Sequence, residues 1–108
     1  MTFPCRQLAG QLAVRVGNYH IYEEDPDQAD IPVKTILLHE EYDSWTVEND
    51  ICLLELESKA DFSSPAIAAI NLPEAGQEYQ PGTECSVSGW GQIEGGGPGT
   101  PTVLQKVS

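Results

Sequence analysis

Basic residues are scarce in this chain: five Lys and Arg stand against seventeen Asp and Glu in 108 residues, a formal net charge of -12. The five positives, Arg6, Arg15, Lys34, Lys59 and Lys106, are scattered, so no patch exists to follow a phosphate backbone or an anionic membrane surface. Nucleic acid and membrane partners are therefore not expected. The acidity reads as solvated surface on a soluble protein, with adaptation to a salty or digestive fluid left open. Long apolar runs are missing too. No segment approaches the roughly 20 residues of a membrane span, and Met1-Thr2-Phe3-Pro4-Cys5 has no apolar stretch of the signal-peptide kind. The chain as given is expected to carry no anchor and no secretory signal. Three cysteines at wide spacing, Cys5, Cys52 and Cys85, fit neither a zinc ribbon nor a self-contained disulfide framework, and an odd count leaves at least one without a partner in the chain.

No helical rhythm runs through the chain either, but 40% of residues are apolar and only 20% charged, which argues against disorder. A chain of this length buries roughly 65% of its unfolded surface, enough for one modest core. Leu12, Val14 and Val16 alternate with Ala13 and Arg15 before Gly17, the pattern of a half-buried strand and a turn. Residues 31–38 and 51–56 suit buried strands, and 67–72, 85–89 and a last stretch from Val103 are further strand candidates. Glu23-Glu24-Asp25-Pro26-Asp27-Gln28-Ala29-Asp30 repels itself and contains a Pro, so it predicts an exposed loop. Gly95-Gly96-Gly97-Pro98-Gly99 predicts a mobile loop. Short strands at this spacing indicate an all-β antiparallel barrel or sandwich.

Asn49-Asp50-Ile51-Cys52-Leu53-Leu54-Glu55-Leu56 sets one carboxylate at the mouth of an apolar run. A buried carboxylate needs partners or loses its charge. Taken alone, Asp50 reads as a residue that caps a strand or closes a turn. About 35 residues later come Cys85-Ser86-Val87-Ser88-Gly89-Trp90-Gly91 and then Val103-Leu104-Gln105-Lys106-Val107-Ser108.

With these pieces in order, joined by Val14-Arg15-Val16-Gly17, Ile36-Leu37-Leu38-His39, Tyr42 and Asn71-Leu72-Pro73, residues 12–108 resemble part of the trypsin/chymotrypsin family of serine endopeptidases. Residues 1–11 form an atypical N-terminal segment. The acidity and the Thr100-Pro101 to Val107 ending look most like arthropod digestive trypsins. The resemblance implies an incomplete double antiparallel β-barrel: later strands of the first barrel, the crossing between barrels and the opening of the second. Unpaired strand edges would then make the chain poorly soluble alone.

In that family the aspartate of the Asn-Asp-Ile motif accepts the imidazole N–H of the catalytic histidine, and Asp50 stands at its place. The other two members are missing from the sequence. His39 and His20 match non-catalytic positions. Cys5 aligns with the cysteine of the family's Ala-Ala-His-Cys motif, with Pro4 where the histidine would stand, and no Gly-Asp-Ser-Gly-Gly motif is present. The resemblance further implies that Trp45 and Val47 wall substrate subsites, and that Cys85 pairs with a cysteine outside this chain. Cys52 is expected as a buried free thiol. The loop from Asn18 to Gln28 aligns with the calcium loop of vertebrate trypsins. Asn18 and Gln28 replace two carboxylates there and only Glu23, Glu24 and Asp25 remain, which weakens calcium as a cofactor; no other cofactor is implied.

The sequence thus points to a partial trypsin-like endopeptidase, inert by itself, whose full form is monomeric, secreted and acts on polypeptides. A non-catalytic secreted protease homologue that binds or regulates is the alternative. An unrelated acidic β adhesion or inhibitor module would require the ordered motifs to be coincidental.

Overall fold

The computed structural model describes residues 3–91 and 101–108, so the predicted glycine-rich loop at 95–99 lies outside the described residues. Two short 3-10 turns, Phe3–Arg6 and Ala9–Gln11, lead into β1 (Ala13–Val16), β2 (Ala29–Leu38), β3 (Cys52–Leu56), β4 (Val87–Gly89) and β5 (Gln105–Val107). β1, β2 and β3 make one antiparallel sheet in that order, and β4 pairs with β5 in a second, two-stranded sheet. The all-β expectation holds.

β2 is the spine of the first sheet. Its Ile31 and Val33 alternate with exposed Pro32 and Lys34 and are buried, Val33 to 2% exposure. The register slips between Val33 and Thr35, so that Val33 faces Leu56 and Thr35 faces Glu55. Such an extra residue bends the strand and increases its twist. At the other pairing Arg15 lies opposite Asp30 and grips it with two bonds of 2.6 and 2.9 Å, a fork-to-carboxylate match that marks the β1–β2 register. Gly17 ends β1 at φ +68, where a Cβ would sit 2.5 Å from the Asp27 carbonyl oxygen, so only glycine fits the turn.

Cys5 and Cys52 form a disulfide with Cα atoms 6.2 Å apart. This corrects the expectation of a free thiol at Cys52: the small apolar position at the head of β3 lies beside the first 3-10 turn, whose Cys5 is buried. Cys85 is unbridged and exposed.

Other expectations fail for want of a partner strand. Residues 67–72 are not a strand; Ile67 packs inward, whereas Ile70 and Leu72 are 89% and 86% exposed. A short apolar run becomes a strand only where an edge offers ladder hydrogen bonds. Residues 85–89 shorten to β4, and the last strand starts at Gln105, with Val103 held instead in a single bridge to His20. The acidic 23–30 segment is not wholly an exposed loop. Ala29 and Asp30 open β2, and the Asp25 side chain is only 13% exposed.

The core is thin. Among the described residues only Cys5, Ile31, Val33 and Ile67 are buried apolar side chains, and Leu37, Leu38, Ile51 and Leu53 lie open. The radius of gyration is 16.0 Å, against about 13 Å for a closed domain of this length.

Candidate functional site

β2 and β3 are joined by a loop at 39–51 that carries Asp50 near its end, two residues before β3 begins. His39 N–H donates to the Ile51 carbonyl at 3.2 Å, which closes the loop base and continues the β2–β3 ladder. Inside, Asp43 works as a turn acceptor: its Oδ1 takes the N–H of Trp45 at 2.8 Å and of Thr46 at 3.4 Å. Asp43 also bridges to Glu48. Val47 and Asn49 both have left-handed backbone, φ 59 and 58, a conformation mild for Asn and costly for β-branched Val. Asn49 secures its turn by donating from Nδ2 to the Glu41 carbonyl at 3.0 Å.

This tight loop sets Trp45 at its tip, 94% exposed, with Val47 also open to solvent. Asp50 is exposed as well and precedes Ile51 in the chain, which with Leu37, Leu38, His39, Cys52 and Leu53 lines an apolar hollow of about 260 Å³. The Cys5–Cys52 bridge anchors the strand two residues past Asp50. Loop tip, carboxylate and hollow are thus brought to one end of the β2–β3 pair.

Neither histidine is arranged to relay a proton to a hydroxyl. His39 Nδ1 accepts the Glu41 N–H at 3.0 Å within its own turn. His20 sits in the 18–28 loop, where Nδ1 is 2.7 Å from Asp25 Oδ1 and Nε2 faces Glu23 Oε2 at 3.9 Å. An imidazole with carboxylates on both nitrogens has no nucleophile to activate. The His20–Asp25 pair escaped the sequence reading, because a histidine five residues before an aspartate in an acidic loop carries no periodic signal.

That pair also occupies the groups a metal in the loop would need. Asp25 Oδ2 accepts the N–H groups of Tyr19 at 2.7 Å and His20 at 2.9 Å, while its Oδ1 takes the His20 ring. Gln28 Oε1 accepts the Asp25 N–H at 3.0 Å. The Asn18 amide, turned so that its NH2 meets acceptors, faces Gln28 Oε1, Asp25 Oδ2 and the His20 carbonyl at 3.1, 3.0 and 2.9 Å. Calcium requires six to eight converging oxygens. Here the Asp25 and Gln28 oxygens accept hydrogen bonds from the Asn18 amide, the His20 ring and backbone N–H groups, Glu23 lies toward His20 Nε2, and no three His, Cys, Asp or Glu side chains cluster among the described residues. The residues do not fit the ion. The Asp25 carboxyl is held down to about 2 by the His20 ring first and then by the two backbone donors. The same hydrogen bond raises His20 above its ordinary 6.5.

A family model described as Trypsin matches residues 5–108. Trypsin V-A of Rattus norvegicus is 44% identical over 97 residues, which cover 88% of this chain and 37% of that protein. Trypsin Blo t 3 of Blomia tropicalis is 34% identical over 100 residues, covering 93% of this chain and 36% of that protein, so the likeness to arthropod trypsins is only loosely supported. A solved structure described as that of GrC superposes with a TM-score of 0.79 at 34% identity, covering 88% of this chain and 41% of that one. The chain therefore spans less than half the length of each of these relatives.

Proposed function

Because the chain belongs to the trypsin family of serine peptidases, we propose that Asp50 is the orienting acid of a Ser-His-Asp endopeptidase and that these 108 residues alone are catalytically inert. The observation that carries this reading is the position of Asp50: exposed at the head of β3, on the Asn49-Asp50-Ile51 motif, beside a strand clamped by a disulfide. A carboxylate so held would accept the N–H of a histidine brought against it, fix the tautomer and stabilise the imidazolium formed when serine attacks a peptide carbonyl. The histidine and the serine are not among these residues, so the chain by itself offers neither base nor nucleophile.

Trp45 and Val47 are assigned to the wall of the substrate subsites next to the primary pocket. Their exposure on a strained loop that ends in Asp50 supports this, since backbone strain persists where the surrounding structure and function require it. Polypeptides are the substrate class of the full-length protein, which acts as a monomer. The exposed Cys85 thiol is assigned a disulfide partner outside this chain. Secretion is supported by the Cys5–Cys52 bridge, since such bonds persist in oxidising compartments.

The test has two arms. Purified 108-residue chain should not cleave peptide amides, and activity that survives removal of contaminating proteases would overturn inertness. Grafting residues 12–108 in place of the matching segment of rat Trypsin V-A should give an active enzyme, in which Asp50→Asn lowers kcat by about 10⁴-fold. A chimera that folds, binds peptide and is inert before any change at Asp50 would favour the non-catalytic homologue.

A further inference from the structure

The 18–28 loop touches more than itself. Three consecutive residues of it, Tyr19, His20 and Ile21, form the seam between the first sheet and the approach to β5. The Leu104 N–H donates to the Tyr19 carbonyl at 2.9 Å, and the Ile21 N–H donates to the Thr102 carbonyl at 2.8 Å. His20 and Val103 lie opposite each other in an antiparallel bridge between these two bonds. The Trp90 indole N–H, just after β4, reaches the same Tyr19 carbonyl at 3.1 Å. Both strands of the second sheet are thus moored to one tripeptide.

The tripeptide lies outside the named strands, and among the described residues its outer edge has no neighbouring strand. Its N–H groups at Tyr19 and His20 instead end on one carboxylate, Asp25 Oδ2, while the His20 ring ends on the other oxygen. Asp25 is in turn held through its own N–H by Gln28. We propose that His20 and Asp25 form an internal clasp that replaces a bound cation in the 18–28 loop and moors residues 102–104 and Trp90 to the first sheet.

The physical reason is geometric. One edge of residues 19–21 is fixed by the carboxylate, which leaves the other edge extended and ready to pair with 102–104. A cation bound through Asp25 would compete with the imidazole and both amides for its oxygens, so it would loosen the seam rather than brace it. Carboxylate bonds to backbone N–H and to an imidazolium are charge-assisted and about twice as strong as neutral ones. This inference does not depend on the role given to Asp50.

Amide hydrogen exchange on the disulfide-intact 108-residue chain tests it, read at Ile21 and Leu104. Protection at both is expected to be equal in millimolar calcium and in EDTA. Asp25→Asn and His20→Ala should each speed exchange at both amides by roughly tenfold or more, with the β2 and β3 amides unchanged. His20→Gln, which keeps a side-chain donor, should recover part of the protection. Should Asp25→Asn also unmask β2 and β3, His20→Ala decides alone, because it leaves the Asp25 bonds to the two backbone amides in place. Calcium that slows exchange at Ile21 and Leu104 by that factor, or unchanged exchange in the deciding variant, overturns the clasp.

Discussion

Cys5 and Cys52, 47 positions apart in the chain, are bonded to each other at the head of β3, two residues beyond Asp50. The bridge ties the N-terminal 3-10 turn to the strand on which the candidate acid sits. A thin core makes such a tie important, because little buried apolar surface is available to replace it.

Opening the bridge should therefore be costly. For a closed loop of this length the unfolded chain loses conformational freedom worth about 4 kcal/mol. Cys52→Ser, with Cys5 also changed to Ser to avoid a stray thiol, is expected to shift the urea midpoint by a comparable amount of stability. A shift below about 1 kcal/mol would show that the turn and β3 hold each other by packing alone.

Gly17 is the second fragile point. Gly17→Ala would place a methyl group 2.5 Å from the Asp27 carbonyl oxygen at a backbone φ of +68. The change should cost about 1–3 kcal/mol in equilibrium denaturation, against a few tenths for alanine at Gly10, where nothing lies within 4 Å.

Val47 gives the opposite sign. A β-branched residue at φ 59 is held against its preference, so Val47→Gly should raise stability by up to about 1 kcal/mol despite the extra freedom of glycine in the unfolded chain. In the rat trypsin chimera the same change should alter preference among peptides that differ next to the cleaved residue. Trp45→Ala should move stability by less than about 0.5 kcal/mol, because a side chain 94% exposed packs on almost nothing.

The His20–Asp25 pair makes stability depend on pH from both sides. Asp25, lowered from 3.8 to about 2, contributes fully above 3.8 and loses its contribution as the pH falls toward 2. His20, raised above 6.5, contributes fully below 6.5 and loses its contribution as the pH climbs past its folded value. The charged groups facing the ring are Asp25 and Glu23 from its own loop, the Tyr19 ring packs edge-on against it at 4.9 Å, and Thr102, Val103 and Leu104 opposite bring no charge. The stability difference between wild type and His20→Ala should therefore be largest near about pH 5 and smaller near about pH 2.5 and 8.5. A difference that keeps growing up to pH 8.5 would rule out a raised imidazole.

Much of the first sheet could be read from residue order. Period-2 alternation around Val14 and Val16 and the apolar runs at 31–38 and 51–56 correspond to β1, β2 and β3, because side-chain alternation is a local property of extended chain. Asp50, taken alone, reads as a cap or turn residue, and only the order of the surrounding motifs singles it out. The family resemblance, carried by ordered short motifs, agrees with the trypsin family match over residues 5–108.

What stayed hidden was whatever depended on which segments meet. Residues 67–72 have a strand's composition but no edge to pair with, and composition does not report edges. Cys52 looked like a small apolar strand residue until the chain fold brought Cys5 to it.

By itself, then, the sequence determined the all-β class, the family and the place of Asp50 at the mouth of β3, since these rest on local alternation and on motif order. Only the tertiary structure decided the Cys5–Cys52 bridge, the left-handed backbone at Val47 and Asn49, and the contact of the His20 ring with Asp25 in the 18–28 loop. The bridge joins residues 47 positions apart, and the loop conformations depend on hydrogen bonds that residue order alone does not specify.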